Sequence, residues 1–305
     1  MSAKNHPGQD AIAANGWLKA HKWLLLRRAS QLIILGLFII GPAYGIWIVK
    51  GNLTSSLTLD ILPLSDPFIL LQSVIAGNVA AGTAIIGAAI VLVFYLLVGG
   101  RVYCSFVCPM NIVTDASRWL AKRLNLPKGW KPARETRYWI LAAVMIAALV
   151  TGVMAWEMLN PVTVLHRGIV YGLSYTWTIA LAIFIFDFVV SRRGWCGHLC
   201  PMGAFYGLVG QASLVRVRAP KRQDCNDCMD CFAVCPEPHV ITPALRGADT
   251  KASPVIMSGD CTNCGRCIDV CSLNVFEFST RFNNALPEGE RQNGTETVSS
   301  DRHAA

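Results

Sequence analysis

The sequence predicts a membrane α-helical fold, with four transmembrane helices in two pseudo-repeated halves, followed by a small cysteine-rich α+β domain. Three observations lead to this prediction. First, 53% of the 305 residues are hydrophobic and only 15% are charged, which is too apolar a balance for an ordinary soluble domain. Second, a ten-residue segment with two cysteines occurs twice. Third, two runs of four cysteines follow one another after Pro220.

Four apolar stretches each approach the roughly 20 residues that a helix needs to cross a bilayer. These predicted spans lie at 30–49, 80–100, 138–158 and 170–190. We therefore expect a cytoplasmic N-terminal segment, a four-helix membrane domain, a cysteine-rich domain and a disordered tail. In chain order these parts cover 1–28, 29–215, 216–282 and 283–305.

Basic residues set the predicted orientation of the spans. Lys and Arg are frequent before the first span and between the second and third, whereas the first connection holds only Lys50 and the third only Arg167. Connections rich in Lys and Arg face the cytoplasm. Both termini and the cysteine-rich domain are therefore expected on the cytoplasmic side of a bacterial inner membrane. The same bias explains most of the net charge of +8, so this charge does not indicate nucleic-acid binding.

The repeated segment reads RVYCSFVCPM at 101–110 and RGWCGHLCPM at 193–202. Each copy follows an inward-going predicted span. Each half also carries an Asx-Pro pair in its outer connection, Asp66-Pro67 in the first half and Asn160-Pro161 in the second. Two halves of like orientation imply pseudo-twofold symmetry about the membrane normal.

The second cysteine of each motif, Cys108 or Cys200, directly precedes a proline. A residue before proline avoids the helical region, and proline suits the first turn of a new helix. Helices are therefore predicted over 109–124 and 201–215, each with a cysteine at its N-terminus. At that position, with the motif arginine nearby, we expect the thiolate form to be favoured.

Because the two halves are equivalent, we expect the four motif cysteines to meet near the cytoplasmic ends of the second and fourth spans. Such a site would bind a metal or cluster, or exchange electrons through thiol-disulfide chemistry. The alternative is that these cysteines are small buried residues in tight turns. The candidates are Cys104, Cys108, Cys196 and Cys200.

The two cysteine runs, CNDCMDCFAVCP and CTNCGRCIDVCS, have the spacing by which bacterial ferredoxins bind two 4Fe-4S clusters. Three closely spaced thiolates surround one cluster, while the fourth lies too far along the chain and reaches the neighbouring cluster. The predicted ligands of the first cluster are Cys225, Cys228, Cys231 and Cys271. The predicted ligands of the second cluster are Cys261, Cys264, Cys267 and Cys235.

Two other uses of these eight cysteines fit the sequence less well. Zinc sites need only two such pairs and usually include histidine at wider spacing. Disulfides are disfavoured in the reducing cytoplasm, where the predicted topology puts this domain.

Four spans, two Cys-x3-Cys-Pro motifs and a C-terminal double 4Fe-4S domain resemble the plan of the NapH-type ferredoxin proteins. The stretches GWCGHLCPMGAFYG (194–207) and CMDCFAVCPEPHV (228–240) are similar to that family. The resemblance implies a quinol dehydrogenase subunit, an oxidoreductase acting within a complex in the inner membrane. It also implies a NapG-like iron-sulfur partner and other electron-transfer subunits that supply periplasmic nitrate reductase.

Related architectures occur in methylamine-utilisation proteins, in nitrous-oxide-respiration regulators and in a cytochrome oxidase assembly factor. A function of a different class therefore remains as an alternative. In that case the chain would be a membrane assembly or maturation factor that supplies electrons to another metalloprotein.

Quinol oxidation releases two electrons and two protons, whereas each 4Fe-4S cluster accepts one electron, so two neighbouring clusters suit this substrate. No quinone motif is readable in the sequence, although the four motif cysteines could border a quinone. Ionisable residues in or beside spans are costly, so His166, Glu157 and Asp187 are proton-handling candidates, each with a structural alternative. His198 has no counterpart in the first motif, and His239 is expected to be a solvated loop residue.

Overall fold

The computed structural model describes residues 7–126, 129, 130, 132–172, 176–248, 250 and 252–283. Apart from its first residue, the predicted tail lies outside the described residues.

The N-terminal segment forms two short helices, α1 (Gln9–Asn15) and α2 (Trp17–Ala20), before the long helix α3 (Lys22–Tyr44). In the described part of the chain, α3 is the one helix that is by itself long and apolar enough to cross a membrane. It begins well before the predicted start at residue 30. It ends before Gly45, whose φ of 75° lies in the left-handed region that commonly terminates helices.

The connection between the first two predicted spans is folded rather than extended. It forms an antiparallel sheet of β1 (Val49–Gly51), β2 (Ser55–Thr58) and β3 (Leu62–Ser65), in that order. The helix α4 (Pro67–Ile75) follows, and both β3 and α4 pack on the next apolar helix, α5 (Gly82–Val98). The connection therefore folds back along α5, which the sequence pattern did not predict.

The first motif continues from α5 and has an unusual backbone. A π-helical turn covers Tyr103–Val107, and the amide of Cys108 donates to the Tyr103 carbonyl at 2.9 Å. Cys108 itself is extended, with φ −65° and ψ 119°, and the helix α6 (Met110–Arg123) begins after the proline. The predicted helix over 109–124 is confirmed.

The second half begins with the apolar helix α7 (Thr136–Thr151). The connection that follows contains two helices, α8 (Ala155–Leu159) and α9 (Pro161–Tyr171), and α9 packs on α3. The next apolar helix, α10 (Trp177–Ile185), continues as a π-helical turn over Phe186–Val190.

The apolar helices α5, α7 and α10 are shorter than the predicted spans. Left-handed glycines are the reason at two ends: Gly152, with φ 67°, ends α7, and Gly172, with φ 68°, ends α9. The spans predicted at 138–158 and 170–190 are therefore too long at these ends. The hydrophobic pattern continues through the glycines, but the helices do not.

The second motif repeats the backbone of the first. A π-helical turn covers Trp195–Leu199, and the amide of Cys200 donates to the Trp195 carbonyl at 2.9 Å. Cys200 is extended, with φ −71° and ψ 113°, and the helix α11 (Pro201–Gln211) follows. This helix ends earlier than the predicted 201–215.

The two Asx-Pro pairs also have the same structural role. The Asp66 side chain accepts a hydrogen bond from the Phe68 amide at 2.8 Å, and the Asn160 side chain accepts one from the Val162 amide at 3.1 Å. Each caps a helix whose first residue is proline. The two halves are therefore alike in the connections between their apolar helices as well as at their motifs.

The C-terminal domain begins with β4 (Val215–Arg218), which pairs antiparallel with β5 (Glu277–Thr280). Between these strands lie the cysteine loops and three short helices, α12 (Asp230–Val234), α13 (Ile241–Arg246) and α14 (Arg266–Asp269). The cysteines pack against a small apolar core that forms the centre of this domain. Its buried members include Val217, Val240, Ile241, Leu245, Ile256, Val275 and Phe276.

Candidate redox site

Two cavities in the C-terminal domain are each lined by four cysteines, three from one run and one from the other. The first cavity is lined by Cys225, Cys228, Cys231 and Cys271. The second cavity is lined by Cys235, Cys261, Cys264 and Cys267. These are the two sets that the spacing predicts, including the exchange of the fourth cysteine between the runs.

The loops that carry the first three cysteines of each run share one backbone pattern. Asp227 and Met229 in the first loop, and Asn263 and Gly265 in the second, have φ values of 53°, 65°, 44° and 69°. Such left-handed residues turn successive amides to one side and form an anion-binding nest. The amides of Asp227 and Asn263 donate to the sulfur of the first cysteine in their loops. Both loops therefore fit an anionic cluster.

The wide arrangement of the cysteines also fits a cluster. Within the described ranges, no three His, Cys, Asp or Glu side chains converge closely enough to bind a single metal ion. A 4Fe-4S cluster binds each thiolate at a different corner, so its ligands stand around a cavity instead of converging on one point. Both cysteine-lined cavities of the C-terminal domain have this form.

A buried cationic group lies beside the second cavity. Arg27, on α3, is 1% exposed, and its Nη1 has no hydrogen-bond partner within the described protein. Burial alone would raise the pKa of the Cys264 thiol, but the neighbouring Arg266 and Arg27 guanidiniums outweigh it and lower this pKa. An unpartnered buried donor beside a thiolate fits an anionic cluster, because hydrogen bonds to the sulfurs stabilise its charge.

The four motif cysteines lie together in the structure. Three of them pack against one cluster of aromatic side chains. Burial raises the pKa of the fourth, and the other three lie close enough to add to this shift. The three are Cys104, Cys108 and Cys200, and the fourth is Cys196. The equivalence of the two halves thus places all four in one site, which we call the four-cysteine site.

The expected preference for thiolate is wrong for Cys108 and Cys200. Each sulfur does accept hydrogen bonds from amides at the start of the helix that follows. Burial nevertheless raises the pKa of Cys200 to about 12 and holds the pKa of Cys108 well above its ordinary value. Loss of solvation therefore outweighs the helix N-terminus, because the charged form loses more on burial than the amides restore.

Arg101, the first residue of the first motif, lies where three parts of the chain meet. It donates from Nη2 to the Cys196 carbonyl at 3.2 Å and from Nη1 to the Asp260 carbonyl at 2.9 Å. The same Nη1 lies 3.3 Å from the Glu237 carboxylate, and both side chains are buried. Because Asp260 precedes Cys261, Arg101 connects the second motif to a loop of the second cavity.

Asp115, on α6, forms ion pairs with three arginines from different parts of the chain. Its carboxylate lies 2.5 Å from Arg28, 3.0 Å from Arg193 and 2.7 Å from Arg266. Burial alone would raise the pKa of Asp115, but the arginines hold it well below its usual range. Since Arg266 belongs to a loop of the second cavity, these ion pairs fasten that loop to the helical domain.

A single hydrogen bond shows how close the four-cysteine site is to the second cavity. The Ser105 hydroxyl donates to the Thr262 carbonyl at 2.9 Å, and both residues are buried. Ser105 follows Cys104, and Thr262 follows Cys261. The two cysteine sites are therefore neighbours across the domain boundary.

The three proton-handling candidates lie in different places. His166 is 3% exposed, and neither of its ring nitrogens has a partner within the described protein. Asp187 accepts a hydrogen bond from the Trp195 amide at 3.0 Å, which gives it a structural role at the second motif. Glu157 is half-buried and accepts from the Thr54 hydroxyl at 3.3 Å. The structure does not bring these three groups into one site.

His239 is not a solvated loop residue, contrary to expectation. Its Nε2 lies 3.1 Å from Asp260, its Nδ1 lies 3.7 Å from Glu237, and Arg137 pairs with both of these acids. It therefore belongs to the charged network between the domains. His198 is half-buried, and its Nδ1 has no partner within the described protein.

Sequence reasoning missed a buried polar pair, Asp66 and Tyr206. The Tyr206 hydroxyl donates to Asp66 Oδ2 at 3.0 Å, and both side chains are buried. Burial raises the pKa of Asp66 to about 6, although hydrogen bonds from the Phe68 amide and the Tyr206 hydroxyl oppose the shift. The sequence singles out Asp66 only as half of an Asx-Pro pair, and no pattern shows that it reaches α11.

The cysteine-lined cavities and their nests define the class of protein: a ferredoxin-type electron-transport protein with 4Fe-4S binding domains. A family model described as a 4Fe-4S binding domain matches residues 80–127 and 173–222, so each match contains one Cys-x3-Cys-Pro motif. A model described as a 4Fe-4S dicluster domain matches residues 224–275, which hold both cysteine runs.

The chain belongs to the NapH/MauN family of ferredoxin-type proteins. The methylamine utilization ferredoxin-type protein MauN of Methylorubrum extorquens is 53% identical over 278 residues, which are 91% of this chain and 96% of that protein. MauN of Paracoccus denitrificans is 54% identical over 272 residues, or 89% and 95% of the two chains. The ferredoxin-type protein NapH of Escherichia coli is 44% identical over 282 residues, or 92% and 97%. No solved structure matches the chain.

Proposed function

We propose that this chain is the membrane-bound subunit of an oxidoreductase complex, which oxidises quinol and passes electrons through iron-sulfur centres to a partner iron-sulfur protein. The observation that carries the proposal is the adjacency of three cysteine sites. The Ser105–Thr262 hydrogen bond, at 2.9 Å, links the four-cysteine site to the second cavity. The two cavities are also neighbours, because Cys231 of the first and Cys267 of the second pack in the same buried core.

The two cavities would hold two 4Fe-4S clusters. When bound, each cluster accepts and releases one electron. The chain supplies four thiolates and an amide nest at each cavity, and Arg27 and Arg266 add positive charge beside the second. Positive charge near a cluster stabilises its reduced form, so this arrangement favours the second cluster as electron acceptor.

The four-cysteine site would be a further redox centre. The double match to a 4Fe-4S binding model, with one motif in each match, favours an iron-sulfur role over simple packing. The proposed ligands there are Cys104, Cys108, Cys196 and Cys200. This site would receive the electrons before they reach the second cavity, because it adjoins that cavity and packs against the apolar helix α5.

We place α3, α5, α7 and α10 across a bacterial inner membrane, with the C-terminal domain in the cytoplasm. Their apolar composition supports this placement. Arginines at the helix ends support the orientation, because Arg101 after α5 and Arg137 at the start of α7 both pair with acids of the C-terminal domain. By the positive-inside rule, that domain and the basic helix ends share the cytoplasmic side.

Two electron acceptors fit the family. The NapH resemblance supports a NapG-like iron-sulfur protein and other subunits that lead to periplasmic nitrate reductase. The MauN relatives, at 53% and 54% identity against 44% for NapH, favour a second candidate, an acceptor in methylamine utilisation. Quinol oxidation by this chain is common to both candidates.

Quinol-driven reduction of the clusters is the decisive test. Full-length protein, purified anaerobically with its clusters, is mixed with a short-chain quinol, and cluster reduction is followed by electron paramagnetic resonance. Quinol oxidation predicts rapid reduction, whereas an assembly or maturation factor predicts reduction by dithionite but not by quinol. Clusters that only dithionite reduces would therefore contradict the proposal.

A further inference from the structure

A cavity of about 290 Å³ lies between α3, α5, the three-stranded sheet and α11. Its walls are mainly apolar and include Leu37 and Phe38 from α3 and Val91 from α5. Its polar side chains belong to Ser56, Thr58, Ser65, Asp66 and three tyrosines, and they include the buried pair Asp66 and Tyr206. An apolar cavity with a few convergent polar groups is the usual form of a small-molecule site.

Asp66 is a buried carboxylate that pairs with no cation among the described residues. Its partners are the Phe68 amide at 2.8 Å and the Tyr206 hydroxyl at 3.0 Å. A second polar group, the Tyr103 hydroxyl, also lines the cavity and is buried without a partner in the described protein. A buried hydroxyl without a partner is costly, so this group points to a ligand that completes the site.

The capping role of Asp66 does not explain its charge. Asn160 is its counterpart in the second half, and it caps α9 by the same contact to the amide two residues on. An amide therefore serves the cap as well as a carboxylate does. The carboxylate is a feature of the first half alone, and it is the half that contains the cavity.

The cavity adjoins the four-cysteine site. The Tyr103 and Tyr206 rings stack with centroids 5.3 Å apart, and Tyr95 packs edge-on against Tyr206 at 5.0 Å. These three tyrosines line the cavity, and the cluster that they form also contacts Cys104 and Cys200. The cavity and three of the four motif cysteines, Cys108 included, therefore contact the same cluster of aromatic rings.

We propose that this cavity binds the quinol ring, with Asp66 as the group that accepts its protons and the Tyr103 hydroxyl as a hydrogen-bond donor to a ring oxygen. The inference rests on the proposed quinol oxidation and assigns its substrate site. The half-buried Leu37 and the buried Phe38 would contact the apolar part of the ring. The raised pKa of Asp66 supports the assignment, because such a carboxylate takes up and releases protons near neutral pH.

The proposed oxidation balances as follows for each quinol. Two O–H bonds break, two electrons pass one at a time to the iron-sulfur centres of this chain, and the quinone forms. The first proton passes to the Asp66 carboxylate, which releases it before accepting the second. The proton that Asp66 releases leaves toward Glu157, a half-buried carboxylate close by: Thr54 accepts from the Asp66 amide at 2.7 Å, and its hydroxyl oxygen lies 3.3 Å from the Glu157 carboxylate.

Two pairs of variants test the site. Asp66→Asn keeps the helix cap, as Asn160 does, but removes the proton acceptor. We expect it to bind a decyl-tailed quinone within about threefold of wild type and to slow quinol-driven cluster reduction by at least about 100-fold. Tyr206→Phe keeps the Asp66 carboxylate, so it should slow quinol-driven cluster reduction less than Asp66→Asn does. Dithionite should reduce the clusters of all these proteins equally.

The second pair tests the place of binding. Val91→Trp fills the cavity, whereas Val93→Trp on the same helix faces outward, where Val93 is 54% exposed. Calorimetric titration of the detergent-solubilised protein with the decyl-tailed quinone should show at least tenfold weaker binding for Val91→Trp and no change for Val93→Trp.

The failures of the two proposals are distinguishable. If quinol reduces the wild-type clusters but Asp66→Asn and Val91→Trp behave as wild type, the cavity is not the site, and quinol oxidation stands. If the wild-type cavity binds the quinone but quinol does not reduce the clusters, the proposed function and Asp66 as proton acceptor both fail. If wild type shows neither binding nor reduction, both proposals are overturned.

Discussion

The Arg101 side chain donates a hydrogen bond to the backbone carbonyl of Cys196, 3.2 Å away. The two residues belong to different copies of the repeated motif, so the halves contact each other directly at their cysteines. The counterpart arginine, Arg193, reaches Asp115 in the first half at 3.0 Å. Each motif arginine therefore extends into the opposite half, as a pseudo-twofold arrangement requires.

Replacing Arg101 by glutamine should destabilise the contact between the domains. The Arg101–Glu237 pair is buried, and removing one partner of a buried pair costs about 3 kcal/mol because the other charge stays buried. We expect a clear fall in the thermal unfolding midpoint of the detergent-solubilised protein. Arg246→Gln is the control, because the Arg246–Asp227 pair is exposed, and such a pair contributes less than about 1 kcal/mol. Equal midpoints for the two variants would contradict the role of Arg101.

The fourth cysteine of each run is expected to bind the cluster that the first three cysteines of the other run surround. Replacing it should therefore damage that cluster. Cys235 lines the second cavity, so Cys235→Ser should damage the second cluster and spare the first. Cys271 lines the first cavity, so Cys271→Ser should have the opposite effect. Iron and acid-labile sulfide analysis, with electron paramagnetic resonance of the remaining cluster, distinguishes the two. If each variant instead lost the cluster that the first three cysteines of its own run surround, the exchange of the fourth cysteine would be refuted.

The exchange of the fourth cysteine between the two clusters was predictable, because each cluster is bound by short loops. In such loops the spacing of the cysteines decides which thiolates surround which cluster. The pair Asp66 and Tyr206 was not predictable, because it depends on a connection that folds back along α5 to meet α11. The preference for thiolate at Cys108 failed for a related reason. Local sequence gives the helix N-terminus, but tertiary packing determines the burial that raises the pKa.

Removing the positive charge of Arg27 should lower the reduction potential of the second cluster. The reduced cluster carries one more negative charge than the oxidised one, so the nearby guanidinium stabilises it more. We expect Arg27→Gln to lower the potential by roughly 60 mV, equivalent to about 1.4 kcal/mol for one electron. A redox titration followed by electron paramagnetic resonance measures this, with the exposed Lys19→Gln as control. An unchanged potential in Arg27→Gln would show that its unpartnered Nη1 does not face the cluster.

Acid should weaken the attachment of the C-terminal domain through Asp115. The folded-state pKa of this carboxyl lies well below its usual range, so its stabilising contribution is fully present above the unfolded value of about 4. The contribution is lost as the pH falls from there toward the folded-state pKa. Limited proteolysis between about pH 5 and 3 should show increasing cleavage between the domains of the wild-type protein.

The matched variant for this prediction is Asp115→Asn. It cannot form the ion pairs with Arg28, Arg193 and Arg266, so it should be more readily cleaved than wild type at pH 7 and depend less on pH below 5. Asp227→Asn, at an exposed pair, controls for the general effect of losing a carboxylate. A pH dependence in Asp115→Asn as steep as in wild type would assign the effect to other groups.

The four motif cysteines give the last prediction. They lie in one site that adjoins the second cavity, so a single cysteine-to-serine change in either motif should impair quinol-driven reduction of the ferredoxin-type clusters. Those two clusters should stay loaded, because their ligands are elsewhere. If the site holds iron of its own, wild-type protein should contain more than about eight iron atoms per chain, and the variants should fall to that number. The variants to compare are Cys104→Ser, Cys108→Ser, Cys196→Ser and Cys200→Ser. Wild-type reduction rates in all four, or crosslinking that places the two motifs far apart, would leave these cysteines with a packing role only.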